Sequence, residues 1–209
     1  MKVAKKATPK NDEINSLLKL DDISLFKKPL YQNYIKKNYK TILTRCCEEN
    51  LINFISHILT LDIDPNYRFG QPLISACKNN SIETVQLLLE QNSINPSIED
   101  NIALEIAIEI NSIKLVDLLL SNKKISNSIN LYQIIIVAID FFYDYFYDCD
   151  TNFKDKSDEF LERKNIIKKL LFIPNNKFDI KNEFLVSRLS DEKIRLLHQI
   201  NLENNIGYF

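Results

Sequence analysis

Two histidines, four cysteines and a dense acidic stretch are the residues of this chain whose types could do chemistry. His57 and His198 stand far apart, and neither has a Cys or an acid at ligand spacing such as His-Glu-x-x-His. Zinc would call for paired spacings of the Cys-x-x-Cys kind. Cys46 and Cys47 are instead adjacent, while Cys77 and Cys149 stand alone. Carboxylates crowd residues 140–159, and carboxylates can hold calcium. Yet "DYFYDCDTNFKDKSDE" lacks the alternating acid order of a calcium loop and its central Gly. The expectation is no catalytic residue, no cofactor and no metal.

Composition points the same way. Only two Gly occur in 209 residues, and neither a GxGxxG nor a GxxxxGK[ST] pattern is present. Loops that cradle phosphates need Gly, because it tolerates positive φ and lets backbone approach a ligand. Asn is abundant instead, the next-best residue for left-handed caps and tight turns. Lys and Arg total 27 against 28 Asp and Glu, a formal net charge of −1, which argues against nucleic acid as partner. No leader-like core and no apolar run near 18 residues is seen, so neither secretion nor membrane spanning is expected. The thiols are then expected to be reduced, in the cytoplasm, with the nucleus as the alternative compartment.

The elements that must position any site repeat. "QPLISACKNNSIETVQLLLEQNSINPS" (71–97) aligns with "IALEIAIEINSIKLVDLLLSNKKISNS" (102–128) at an offset of 31 residues. Ala76 falls on Ala107, Val85 on Val116, and Leu87-Leu88-Leu89 on Leu118-Leu119-Leu120. Upstream, Cys46-Cys47 falls on Ala76-Cys77 at an offset of 30; downstream, Ala138 lies 31 beyond Ala107. Within one unit, Ala76 and Cys77 put small residues on one face of a first helix. Ile82, Val85, Leu88 and Leu89 then form the apolar stripe of a second. Ser81 is placed to cap that second helix, with Glu83 near its positive end. Two such short helices cannot bury their faces alone, so neighbouring pairs must stack.

The period and its residues resemble the ankyrin repeat, whose signature is Thr-Pro-Leu-His-x-Ala. "QPLISAC" (71–77) keeps the Pro, Leu and Ala, and "TILTRCC" (41–47) keeps the opening Thr and the Leu. "IDPN" (63–66) resembles the ending before the family's hairpin tip, and "VQLLLEQ" and "VDLLLSN" resemble its second helix. The motif His is replaced by Thr44 and Ile74, and the Gly between the helices by Asn. Cys46, Cys47 and Cys77 sit where the family carries Ala, which suits small residues at tight helix packing.

The resemblance is strongest over 39–130 and implies an all-α solenoid of about five helix-turn-helix units with degenerate end caps. A basic, flexible tail is expected at 1–12, followed by one repeat domain over 13–209. Its units fall at about 13–33, 34–65, 66–96, 97–127 and 128–178, the last with an insertion at 141–160, and a cap covers 179–209. In the first unit the second helix is expected to begin near Asp22 and to be stopped by Pro29. In the cap, Ser190 is a candidate N-cap.

In ankyrin arrays the tips and the exposed face of the first helices form a concave protein-binding surface. Carried onto this chain, the tips are 66–69, 97–100 and 127–130. The first-helix positions are Glu48, Glu49, Lys78, Asn79, Glu109, Ile110, Asp140 and Phe141. Tyr67, Arg68 and Phe69 are the leading candidates, since Tyr, Phe and Arg are enriched at interfaces. Lys78, Glu99, Asp100 and Glu109 extend the candidate surface. "DFFYDYFYDCD" (140–150) adds Phe141, Tyr143, Tyr145 and Tyr147. Two readings compete there: a first helix running on past Asp140 with its rings packed inward, or a projecting segment held by a partner. The chain is expected to bind protein without catalysis, as an adaptor, inhibitor or host-directed interaction factor, monomeric when alone. No small-molecule substrate is expected. The alternative is a small structural subunit of a larger assembly.

Overall fold

In three repeats Asn stands where the two helices reverse direction. Asn50, Asn80 and Asn111 adopt φ of 55°, 52° and 57°. A left-handed conformation costs most residues about 1–2 kcal/mol, and Asn is among the few non-Gly types that visit it. These are the positions where the sequence replaces the family's turn Gly by Asn.

The computed structural model describes residues 11–20, 23–24, 26–147, 157–173 and 179–206, apart from the side chains of 11–13, 17, 20, 145–147, 157 and 203–206. Among them are twelve helices and no strand, so the fold is all-α. The chain divides into two compact units, residues 1–95 and 96–209.

The first unit holds α1 (Asn11–Leu20), α2 (Pro29–Glu48), α3 (Ile52–Leu59), α4 (Tyr67–Lys78) and α5 (Ile82–Leu89). First helices α2 and α4 pack side by side, as do second helices α3 and α5. Cys46 and Cys47 on α2, and Ala76 and Cys77 on α4, are buried where small side chains let the helices approach. Leu43, Leu73, Ile55, Val85, Ile58 and Leu88 fill the space between layers. Each such side chain contributes roughly 1.5–3 kcal/mol on burial. Phe26 closes the upstream end, edge-on to Phe54 with ring centroids 4.7 Å apart.

Pro29 begins a helix here and does not stop one. It occupies the first turn of α2, where its missing N–H costs nothing and its fixed φ suits the helix. The 20-residue α2 therefore starts well before "TILTRCC" and bends at Asn38 (φ −117°, ψ 15°).

The second unit holds α6 (Ile98–Glu109), α7 (Ile113–Leu120), α8 (Lys123–Ser128), α9 (Leu131–Tyr147), α10 (Ser157–Leu171), α11 (Glu183–Arg188) and α12 (Asp191–Ile206). First helices α6 and α9 adjoin, second helices α7 and α10 adjoin, and α11 and α12 close the stack against α9 and α10. Helix α9 runs straight through Asp140 to Tyr147, and Phe142 is buried with its ring 5.0 Å from Phe160 of α10. Residues 148–156 of the insertion, with Cys149, lie outside the described residues.

Capping follows the sequence in part. Ser190 accepts from the Lys193 N–H (3.4 Å), and Ser112 from that of Leu115 (3.4 Å). Ser81 occupies the N-cap position, but its side chain makes no capping bond; its carbonyl instead accepts from Val85.

Two predictions follow from these packing features. Asn50 supports the next repeat, since its side-chain oxygen Oδ1 accepts from the hydroxyl of the fully buried Thr84 (2.6 Å). Asn50→Ala combines left-handed strain with an unsatisfied hydroxyl and is expected to cost on the order of 2–4 kcal/mol. Asn50→Gly relieves the strain and is expected to cost about 1–2 kcal/mol less, both read by urea denaturation. The second prediction concerns alkali. Burial raises Cys77 from its ordinary 9.0 to about 12, and pushes Cys47 further the same way. The folded chain therefore keeps protons that the unfolded chain releases, so stability falls as pH rises from about 9 towards 12. Cys77→Ala is expected to flatten that fall in denaturation midpoints measured against pH.

Candidate protein-binding surface

Tyr67 begins the tip at 66–69, and the fold turns it inward. Its ring is 5% exposed and stands edge-on to Tyr39, centroids 5.4 Å apart. Its hydroxyl shares a 2.5 Å hydrogen bond with Thr44 and donates to the Lys40 carbonyl. Burial pushes its pKa up to about 12, partly offset by the Thr44 bond, so it stays protonated at any physiological pH. Thr44 stands where the family carries His, and here it anchors the tip to α2. Asn66 secures the other side: its side chain donates to the Ser93 carbonyl and accepts from the Asn95 N–H, both at 2.7 Å.

Pinned on both sides, the next three residues wind left-handed. Arg68, Phe69 and Gly70 have φ of 48°, 61° and 78°. This replaces an extended hairpin tip with a single left-handed turn, and right-handed helix resumes at Gln71. Pro72 is then tolerated because it lies in the first right-handed turn. The turn faces Arg68 and Phe69 outward, with Phe69 68% exposed. The tip at 97–100 repeats the geometry: Glu99, Asp100 and Asn101 have φ of 49°, 53° and 72°, with Glu99 and Asp100 exposed and Asn101 buried. Over 127–130 the pattern fails, because α8 occupies the approach and Asn130 serves α9, accepting from the Gln133 N–H (3.3 Å).

A groove of about 510 Å³ runs beside the first tip between α2 and α4, lined by Lys40, Thr41, Thr44, Arg45, Glu48, Arg68 and Gln71. In the second unit a groove of about 310 Å³ lies between α6 and α9, with Asp100, Asn101, Glu105 and Gln133 among its walls. Burial and the Asp100 carboxylate raise the pKa of Glu105. Lys78 and Glu109 are exposed at the last positions of α4 and α6.

Phe142 and Tyr143 of the aromatic extension of α9 are engaged within its own unit. Tyr143 is half-buried and donates its hydroxyl to Glu192 of α12. Lys193 lies over the Tyr143 ring at 5.0 Å, bonds Asp140 at 2.8 Å and approaches Asp144 at 3.9 Å. Phe141 is half-buried. The side chains of Tyr145 and Tyr147 lie outside the described residues.

Charge segregates between the units, which the near-zero net charge conceals. First helices α2 and α4 carry Lys36, Lys37, Lys40, Arg45, Arg68 and Lys78 against one acid, Glu48. First helices α6 and α9 carry Glu99, Asp100, Glu105, Glu109, Asp140 and Asp144 and no Lys or Arg. Counting charge helix by helix, instead of over the whole chain, finds this signal.

Residues 43–131 match the family model for ankyrin repeats, in three copies. These residues are ankyrin repeats. The curated proteins and the solved structures give no match to the chain. Ankyrin repeats are in general protein–protein interaction modules, and the matched span contains both left-handed tips. Among the described residues no helix is long and apolar enough to cross a membrane.

The pinning of the first ankyrin tip predicts a graded response at Tyr67. Tyr67→Phe removes the hydroxyl bonds and is expected to cost about 1 kcal/mol. Tyr67→Ala opens a cavity and is expected to cost about 3–5 kcal/mol, both read by denaturation. Loss of binding in a Tyr67→Ala protein therefore reports on the fold as well as on the surface.

Proposed function

We propose that the chain is a non-enzymatic module that captures a protein partner on its first-helix face, acting as an adaptor, inhibitor or host-directed interaction factor. The observation that carries this reading is the first tip. A large aromatic side chain, Phe69, is held out in solvent beside a groove by a strained turn that part-buried hydrogen bonds pin in place. Strained backbone of this kind persists only where its surroundings over-determine it, and it clusters at ligand clamps. Pre-ordering the tip lowers the entropy lost on binding. An exposed aromatic next to Arg is the composition of an interface hot spot.

The cytoplasm is the proposed site of action, and the buried thiols of Cys46, Cys47 and Cys77, none in a disulfide, suit a reducing compartment. The test is affinity capture from source cells with the intact chain beside an Arg68→Glu, Phe69→Ser variant. Both side chains are exposed, so the variant is expected to melt like the parent while losing the specifically captured proteins. An unchanged set of captured proteins would count against the first tip as the binding surface.

A further inference from the structure

Resting on that reading, we propose that the groove between α2 and α4 takes an acidic polypeptide segment, with an apolar residue of the same segment packed on Phe69. Three observations converge. The groove is bordered by Lys40, Arg45 and Arg68 against the single carboxylate of Glu48. Arg45 is already held by Glu49 at 2.7 Å. Among the described residues no carboxylate lies within 4.0 Å of Lys40 or Arg68. Lys40 Nζ rests 6.0 Å over the Tyr67 ring, and both cations line the groove. Arg68 offers a planar fork suited to a carboxylate, and Lys40 adds a point charge to the same groove. Thr41 and Gln71 supply further polar partners for the backbone of an extended segment. Phe69, on the same left-handed turn as Arg68, supplies the apolar anchor.

A polypeptide fits these features better than a nucleic-acid strand. A phosphate backbone demands a continuous surplus of cations. Among the first helices only those of one unit carry a surplus, Glu48 stands inside the groove, and the corresponding helices of the other unit carry six acids and no base. A short acidic segment needs only this local charge.

The full chain is screened against a displayed library of random short peptides, and the enriched sequences are synthesised and titrated. Enrichment of Asp and Glu with one aliphatic or aromatic residue is expected. Affinity is expected to fall with added salt and by roughly tenfold or more in a Lys40→Glu, Arg68→Glu protein. A Lys40→Gln, Arg68→Gln protein, checked by its melting curve, covers the case in which charge reversal disturbs folding. Enriched peptides without acids, or no enrichment, overturn the proposal. Acid-free peptides that still require Phe69 leave the protein-binding reading standing. Peptides indifferent to Lys40, Arg68 and Phe69 alike remove both. An oligoribonucleotide that out-competes the peptides overturns the choice of polypeptide. A dimer in low salt that the Lys40→Glu, Arg68→Glu change abolishes makes the acidic face of a second copy the occupant and overturns a separate partner.

Discussion

Close approach between neighbouring first helices is the contact on which each unit depends, since a pair of short helices cannot bury its apolar faces alone. In the first unit it is made by α2 and α4 with Cys46, Cys47, Ser75, Ala76 and Cys77 in the interior. In the second it is made by α6 and α9 with Ala103, Ala107 and Ala138. Small side chains at these positions draw the backbones together, and larger ones would force the layers apart. The thiols serve there as small volumes, and burial raises the pKa of Cys47 and Cys77.

The tip geometry follows from that approach. Once α4 lies against α2, Tyr67 reaches Thr44 and the Lys40 carbonyl, and the chain must then reverse within a few residues to begin the right-handed part of α4. Three left-handed residues make the reversal. Only Gly70 does so without a steric penalty, so Arg68 and Phe69 hold their conformation at the expense of the surrounding contacts. The same solution at Glu99, Asp100 and Asn101 presents carboxylates where the first tip presents a cation and a ring. One backbone device thus displays two opposite chemistries.

At the C-terminal end the same logic produces a clasp. Helix α9 extends beyond its repeat length, and the extra turns need a partner. Phe142 finds Phe160, while Asp140, Tyr143 and Asp144 meet Lys193 and Glu192 of the cap. Acids that read as an isolated cluster in sequence are in part the counter-charges of one lysine. The aromatic run of α9 is therefore structural through Phe142 and half-engaged at Tyr143.

Periodicity carries the helices, their pairing and the small-residue positions, because burial at spacings of 3–4 residues and a repeat near 31 leaves a mark on every unit. The Asn turns are legible for the same reason: few other residues tolerate positive φ. Direction is not legible in this way. Tyr67, Arg68 and Phe69 are three consecutive interface-type residues, and nothing local says that the first goes inward and the others outward. Thr44, 23 residues upstream, decides it by meeting the Tyr67 hydroxyl. Pro29 could end one helix or begin another, and the packing of α2 along α4 selects the second. The residues alone determined a stack of two-helix repeats. Tertiary structure alone decided which side chains face outward, because contacts between residues far apart in sequence set which way each short turn opens.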